Sequence, residues 1–259
     1  MSNFSCVVMG NESLLIQCAE RLLQGGDRIG AVVTRNADIR AWAVHQGLRV
    51  EAPGEGLATR LAGLEFDWLF SIANLSVIPQ AVLDQARHGA INFHDGPLPR
   101  HAGLNAPVWA ILEQEKQHGV TWHLIEGGID EGDIVKQKLF DMAPLETALT
   151  LNTRCYEAAM ESFVELLADL RGPGLQRTPQ DLSQRSYHAR LDRPAAAARL
   201  DHQGRGLAPP GVVARPPRIH VVHQRIPGLG RRRRDHHAVL DGEAVGGAVP
   251  DLGPGAGRE

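Results

Sequence analysis

The sequence predicts an α/β protein with a Rossmann-like, mostly parallel sheet of about six or seven strands, helices on both faces, and an irregular C-terminal tail. Three observations support this prediction. Through the first 170 residues, short runs of apolar and β-branched residues alternate with segments of helical periodicity. Glycine ends many of those segments, as expected where helices and strands stop. After position 190 the composition changes to one rich in Arg, Pro and Gly.

The first strand and helix set the pattern. Phe4–Gly10 is a short apolar run that ends in glycine, which predicts a strand. In the next segment, ESLLIQCAERLLQGG, apolar residues recur at helical spacing up to a glycine pair, so it predicts a helix. IGAVVTRN and IRAWAVHQG then repeat the strand and the helix.

The remaining segments continue the alternation. Asp67–Asn74 predicts a third strand and Pro79–Arg87 a helix, since proline is favoured at the first helical position. After a fourth strand in GAINFHD, the sequence predicts a helix in NAPVWAILEQEKQHG, strands in VTWHLIEGG and DIVKQKLF, and a long helix over Leu145–Leu170. Strands separated by helices form parallel sheets, and ligands collect at the carboxyl ends of such strands.

Composition narrows the class of protein. The chain has 259 residues, 43% of them hydrophobic and 22% charged, as in globular domains. No apolar run approaches the roughly 20 residues that span a bilayer, and no basic segment precedes the first strand, so we expect neither a signal peptide nor a membrane partner. The three cysteines, Cys6, Cys18 and Cys155, are scattered, which predicts a reducing cytoplasm and no disulfide framework or metal site.

Charge and composition divide the chain at about residue 190. Residues 1–190 hold 16 basic and 23 acidic residues, a formal charge of −7, whereas residues 191–259 hold 11 arginines and 7 acidic residues. We therefore expect one folded domain over 1–190 and a low-complexity Arg/Pro/Gly-rich tail over 191–259, either disordered or read out of frame. The acidic body is a poor surface for nucleic acid.

Polar residues follow the fourth predicted strand and a later glycine-rich loop. Asn92 and His94 are two residues apart in a strand, so they face the same side. Asp130, in GGIDEG, brings a carboxylate to the same edge. Taken singly, His94 suits a scaffold histidine, Asn92 a turn residue and Asp130 a loop residue. Together they predict an acid/base site with an oxyanion-stabilising amide. Because no nucleophile elbow is present, direct transfer or hydrolysis is favoured over a covalent intermediate.

Two segments carry a resemblance to a known family. INFHDGPLPRHAG and HGVTWHLIEGGIDEGDIV resemble the formyltransferases that use 10-formyltetrahydrofolate, over roughly residues 3–170. The matching positions are Asn92, His94, Leu98, Pro99, Gly103, Thr121, His123, Asp130 and Gly132. The resemblance implies the formyltransferase fold and 10-formyltetrahydrofolate as cosubstrate.

The resemblance also implies roles for the matching residues. Asn92 and protonated His94 would stabilise the tetrahedral oxyanion formed when an amine attacks the formyl carbon, and Asp130 would hold the imidazolium and relay the proton. Thr121 would orient Asp130 or a bound water. His123 is expected to support the catalytic groups, or else to be a structural strand histidine.

Residues for binding the folate and the substrate follow by analogy. The folate pocket would be lined by Leu75, Val77, Ile78, Glu126, Gly127 and Gly128, although the three apolar residues also suit ordinary core. The substrate cleft would include Gly10, Asn11, Ser13, Pro97, Gly103 and Asn105.

Within these segments, the residues of FHDGPLPR and GIDEGDIV resemble the formylation domains at the start of nonribosomal peptide synthetases. The chain differs from those domains at His101, where they have a tyrosine. The implied acceptor is the α-amino group of an aminoacyl thioester on a carrier protein. A small amine such as a nucleotide-linked amino sugar, methionyl-tRNA, hydrolysis of the formylfolate, and a non-catalytic docking role are the alternatives.

Overall fold

The computed structural model describes residues 3–172 and 174–192. The predicted tail therefore lies outside the described residues, apart from Leu191 and Asp192. In the described part, no helix is both long and apolar enough to cross a membrane.

Nine strands and six helices make up the described fold. The strands are β1 Ser5–Met9, β2 Arg28–Val33, β3 Val50–Glu51, β4 Phe66–Ser71, β5 Ala86–His94, β6 Ala102–Gly103, β7 Gln117–Leu124, β8 Ile134–Asp141 and β9 Tyr187–His188. The helices are α1 Leu14–Gln24, α2 Ala37–His45, α3 Leu57–Leu61, α4 Gln80–Leu83, α5 Ala106–Leu112 and α6 Ala148–Leu170, with a 3₁₀ turn at Leu182–Gln184.

Seven of the strands form one sheet in the order β3-β2-β1-β4-β5-β7-β8. The first five strands in this order run parallel, whereas β7 pairs antiparallel with both β5 and β8. A second small sheet joins β6 to β9 in parallel. The predicted mostly parallel α/β sheet is confirmed.

The two faces of the sheet pack into separate apolar cores. Alternate residues of β1 point to opposite sides: Cys6 and Val8 pack with residues of α1 and α6, whereas Val7 and Met9 pack with residues of α3 and α4. Helices therefore cover both faces of the sheet. The carboxyl edge of the parallel strands remains as the place where polar side chains can form a site.

Two helices are shorter than predicted. The helix over Pro79–Arg87 ends at Leu83, because β5 already begins at Ala86, where it pairs with Phe66 of β4. Helix α5 ends at Leu112, and Gln114 adopts a left-handed backbone with φ of 57°. In both places the pairing and turn geometry outweigh the local helical preference.

Candidate active site

The site forms where β5 ends beside β7. Asn92 lies opposite His123 and His94 lies opposite Thr121 in the antiparallel register. Because residues two apart share a face of the strand, Asn92 and His94 both face the edge that the loop with Asp130 covers. The backbone of Asp130 is itself left-handed, with φ of 56°.

His94 is held in one orientation. Its ring is buried, and Nε2 lies 2.8 Å from the backbone oxygen of His101. A carbonyl oxygen can only accept, so Nε2 carries a proton. The other nitrogen, Nδ1, lies 3.6 Å from Oδ2 of Asp130.

Asp130 is a largely enclosed carboxylate, with 11% of its side chain exposed, and donors surround it. Its Oδ2 accepts a 2.9 Å hydrogen bond from the N–H of Gly103, and its Oδ1 lies 3.3 Å from Nε2 of His123. Burial alone would raise the pKa of Asp130, but the contact with His123, the charge of His94 and the Gly103 N–H outweigh it and lower the pKa to about 2. The group is therefore ionised at neutral pH.

His123 links Asp130 to Asn92. Its Nδ1 donates to the backbone oxygen of Leu124 over 2.8 Å, while Nε2 lies 3.1 Å from Nδ2 of Asn92. Each imidazole beside Asp130 thus already donates one proton to a carbonyl. A hydrogen bond from either ring to the carboxylate requires a second ring proton, so Asp130 is placed to stabilise an imidazolium. The amide N–H of Asn92, which points at His123, favours His94 as the charged ring.

Asp95 adds a second carboxyl beside His94. Its Oδ1 lies 4.0 Å from Nδ1 of His94, and 37% of its side chain is exposed. Partial withdrawal from water raises the pKa of Asp95, helped by repulsion from Asp130 and opposed by His94. Asp95 is therefore a weaker acid than Asp130 beside the same imidazole.

Thr121 braces a turn and does not contact Asp130. Its hydroxyl donates to the backbone oxygen of Gly96 over 2.7 Å and accepts from the N–H of Leu98 over 3.1 Å. Gln137 completes the contact by donating to both the Thr121 hydroxyl and the Leu98 oxygen. The expectation that Thr121 orients Asp130 directly is wrong, because its hydroxyl is engaged with the turn after His94 and with Gln137.

The predicted folate residues fall into two exposed loops. Leu75 and Val77 are 85% and 88% exposed, so these two are not core residues, whereas Ile78 is buried in the core beside α4. In the second loop, Glu126 forms an exposed ion pair with Arg177. Its neighbours Gly127 and Gly128 are also exposed.

The predicted cleft residues fall into two groups, both following parallel strands at the carboxyl edge of the sheet. After β1, Gly10 packs against the backbone of Ile72, and Asn11 accepts a hydrogen bond from the N–H of Arg35. Ser13 precedes α1 without capping it through its side chain. These three lie two strands away from β5 in the sheet order.

The other cleft residues lie around the turn after His94. Pro97 is half-buried and Asn105 exposed. Gly103 donates to Asp130, and its φ of 92° and the oxygen of His188, 2.3 Å from where a Cβ would sit, leave no room for a side chain.

Sequence reasoning missed the residues that brace the site from the C-terminal side. The amide of Gln180 donates to the backbone oxygens of Asp130 and Gly132, over 2.9 and 2.7 Å. Ser186 accepts from the N–H of His101 over 2.8 Å. No local motif identifies these residues, since their contacts depend on the chain after α6 returning to the site. There Thr178 bridges Ile134, and β9 pairs with β6.

The chain resembles proteins of one family in sequence. The family model described as formyl transferase matches residues 19–167. A methionyl-tRNA formyltransferase of Ruegeria pomeroyi is 31% identical over 227 residues, covering 78% of this chain and 74% of the relative. One of Geobacter sulfurreducens is 27% identical over 205 residues, covering 72% of this chain, and the match spans only 64% of that relative's length.

Solved structures show the same fold. A sugar 3N-formyl transferase, WlaRD, determined with dTDP and 5-N-formyl-THF, has a TM-score of 0.63 at 18% identity, covering 76% of this chain and 73% of its own. An N-formyltransferase of Helicobacter canadensis, in complex with folinic acid and dTDP-3-aminofucose, has a TM-score of 0.61 at 21% identity, covering 74% and 73%. HypX of Aquifex aeolicus, in complex with tetrahydrofolic acid, has a TM-score of 0.59 at 20% identity, covering 74% and 30%. Since the family model spans most of the chain, this protein belongs to the formyl transferase family.

Proposed function

We propose that the protein transfers a formyl group from 10-formyltetrahydrofolate to a primary amine. The observation that carries the proposal is the largely enclosed Asp130 carboxylate between His94 and His123, with the amide of Asn92 beside His123. A fixed imidazolium next to an amide donor is what a tetrahedral oxyanion needs for stabilisation.

The reaction follows from these groups. The lone pair of a neutral amine forms a bond to the formyl carbon, and the carbonyl oxygen becomes an oxyanion that Asn92 and His94 stabilise. When the intermediate collapses, the bond from carbon to the folate nitrogen breaks. The proton lost by the amine passes to that nitrogen through His94, whose imidazolium Asp130 stabilises.

Two exposed loops support binding of the folate. Leu75 and Val77 offer apolar surface after β4, next to β5 in the sheet. The loop from Glu126 to Gly128 follows β7 and leads directly to Asp130. A flat pterin held between them would place its formyl group at the catalytic residues. The related structures determined with 5-N-formyl-THF, folinic acid or tetrahydrofolic acid support this choice of cosubstrate.

For the acceptor we propose the α-amino group of an aminoacyl thioester on a carrier protein. Support comes from Asp95 directly after His94 and from the segment GLNAP that leads into α5, which resemble the formylation domains of nonribosomal synthetases. The carrier would be a partner protein or another part of a longer chain.

Two other acceptors have support of their own. The relatives named methionyl-tRNA formyltransferase favour a tRNA, but the formal charge of −7 over residues 1–190 opposes binding of a polyanion. A nucleotide-linked amino sugar is favoured by the structural neighbours solved with dTDP or dTDP-3-aminofucose.

One experiment separates these acceptors. The protein is incubated with 10-formyltetrahydrofolate and, in parallel, aminoacyl carrier proteins, amino sugar nucleotides and methionyl-tRNA, with products read by mass spectrometry. We expect a formylated aminoacyl carrier. Formylation of a sugar or tRNA alone would reject the proposed acceptor. Release of formate in amine-free reactions at the same rate would reject transfer, and loss of activity in Asn92→Ala with folate binding retained would support the mechanism.

A further inference from the structure

A second polar cluster lies where β9 meets the turn after β5. The rings of His101 and His188 are buried, with exposures of 1% and 7%. Nδ1 of His101 lies 3.2 Å from Nε2 of His188. A carboxylate oxygen of Glu113 lies within 4.8 Å of a ring nitrogen of each histidine. The side chains of these three residues have no part in the formyl transfer proposed above.

The distance between the two nitrogens fits a shared metal ion. Zinc binds imidazole nitrogen at about 2.0–2.1 Å in tetrahedral geometry, which places two ligand nitrogens roughly 3.3 Å apart. The observed separation between His101 and His188 is 3.2 Å. Glu113 is exposed, so rotation of its side chain can bring the carboxylate within bonding distance. A water would complete four ligands.

The surroundings of His101 favour the correct tautomer. Its Nε2 is buried and has no hydrogen-bond partner within normal geometry, and it faces the carboxylate of Glu115 at 3.5 Å. A proton on Nε2 suits that carboxylate and leaves the lone pair of Nδ1 directed at His188. Carboxylates commonly orient metal-binding histidines in this way. Without a metal, the pair can form only a hydrogen bond from Nε2–H of His188.

The second histidine is positioned equally well. The ring of His188 stacks on Trp109 with centroids 4.3 Å apart and planes 7° apart. This stacking fixes the ring plane, so its nitrogen is held in place before any ion arrives. A preorganised pair of imidazoles binds a metal at lower entropic cost than two free side chains.

We propose that His101, Glu113 and His188 form a binding site for Zn²⁺ or a similar divalent transition metal. Two imidazoles and a carboxylate are ligands that such ions accept. A bound ion would fasten β9 to the turn that precedes β6. It would thereby fix the backbone of His101, whose oxygen accepts the hydrogen bond from His94.

Metal binding by the purified full chain tests this proposal. After chelator treatment, Zn²⁺ is titrated by calorimetry and thermal unfolding is followed. We expect a specific zinc equivalent whose uptake raises the Tm by about 5–10 °C at about 100 times its Kd. In His188→Phe, which keeps the ring on Trp109 but removes the nitrogen, we expect at least about tenfold weaker binding and no rise in Tm. His45→Gln, at an exposed histidine of α2, is the control and should behave as wild type.

X-ray absorption at the zinc edge gives an independent result. We expect nitrogen or oxygen neighbours at about 2.0–2.1 Å with the pattern of two imidazoles. If His188→Phe does not fold, Glu113→Gln at the exposed ligand provides the same comparison. Wild type that takes up no zinc, or a variant that binds it as tightly as wild type, would overturn the proposal. These readouts measure binding alone and do not depend on formyl transfer.

Discussion

Replacing Asp130 by asparagine should affect both catalysis and stability. The carboxylate lies near one nitrogen of each imidazole and accepts the N–H of Gly103. An amide of the same shape cannot act as counter-ion to an imidazolium. We therefore expect kcat for formyl transfer to fall at least about 100-fold, with KM for the folate nearly unchanged, because the loss falls on the transition state.

The cost in stability can be worked out from the pKa of Asp130. Its pKa is lowered from 3.8 to about 2 in the folded protein, and only 11% of the side chain is exposed. A depressed pKa stabilises the fold above the unfolded value, so the carboxylate contributes about 2 kcal/mol at neutral pH. That contribution disappears as the pH falls from about 4 to about 2.

Urea unfolding at several pH values measures this difference. Asp130→Asn should be less stable than wild type by about 2 kcal/mol at pH 7, with the gap closing below pH 4. Asp84→Asn, at an exposed site after α4, is the control and should show neither effect. Turnover within a few-fold of wild type, or a stability gap that does not change with pH, would refute the reasoning.

Three further changes test other parts of the account. His94→Gln should reduce transfer by about 100- to 1000-fold while equilibrium dialysis still shows folate binding; equal turnover would exclude its proposed role. Gly103→Ala should destabilise the fold by roughly 1–3 kcal/mol in urea, because the added Cβ would overlap the backbone of His188. Gly47→Ala, also at positive φ but in open space, is the control and should cost less. Equal costs for the two variants would argue against the overlap. Leu75→Ser with Val77→Ser should raise KM for the folate without lowering Tm, since both side chains are exposed; a lower Tm with unchanged KM would assign them to the core.

The order of strands and helices could be predicted because the spacing of apolar residues within each segment indicates its type. Buried runs such as those of β1 and β4 and the helical spacing of α1 and α6 are set by the residues themselves. The short elements could not be predicted in the same way. Strand β3 has two residues, and α4 has only four because pairing with Phe66 brings β5 in early.

The site, too, has features that local sequence predicts and features that depend on pairing between distant segments. The two-residue spacing of Asn92 and His94 places both on one face of β5, and this follows from strand geometry alone. The residue that lies opposite each of them on the neighbouring strand does not follow from strand geometry. Thr121 reaches the turn after His94 because the antiparallel register of β5 and β7 sets it opposite His94, and no single segment specifies that register. His188 reaches His101 only because β9 pairs with β6, 85 residues along the chain from Ala102 to Tyr187.

Following a labelled formyl carbon tests the central claim most directly. The protein is mixed with 10-[¹³C]formyltetrahydrofolate and the acceptor found in the panel, and the fate of the label is followed by NMR for wild type and His94→Gln. We predict that in wild type the label moves from the folate to a formamide on the acceptor, and that it stays on the folate in the variant. Label that appears as free formate, or that moves equally fast without the His94 imidazole, would contradict the account.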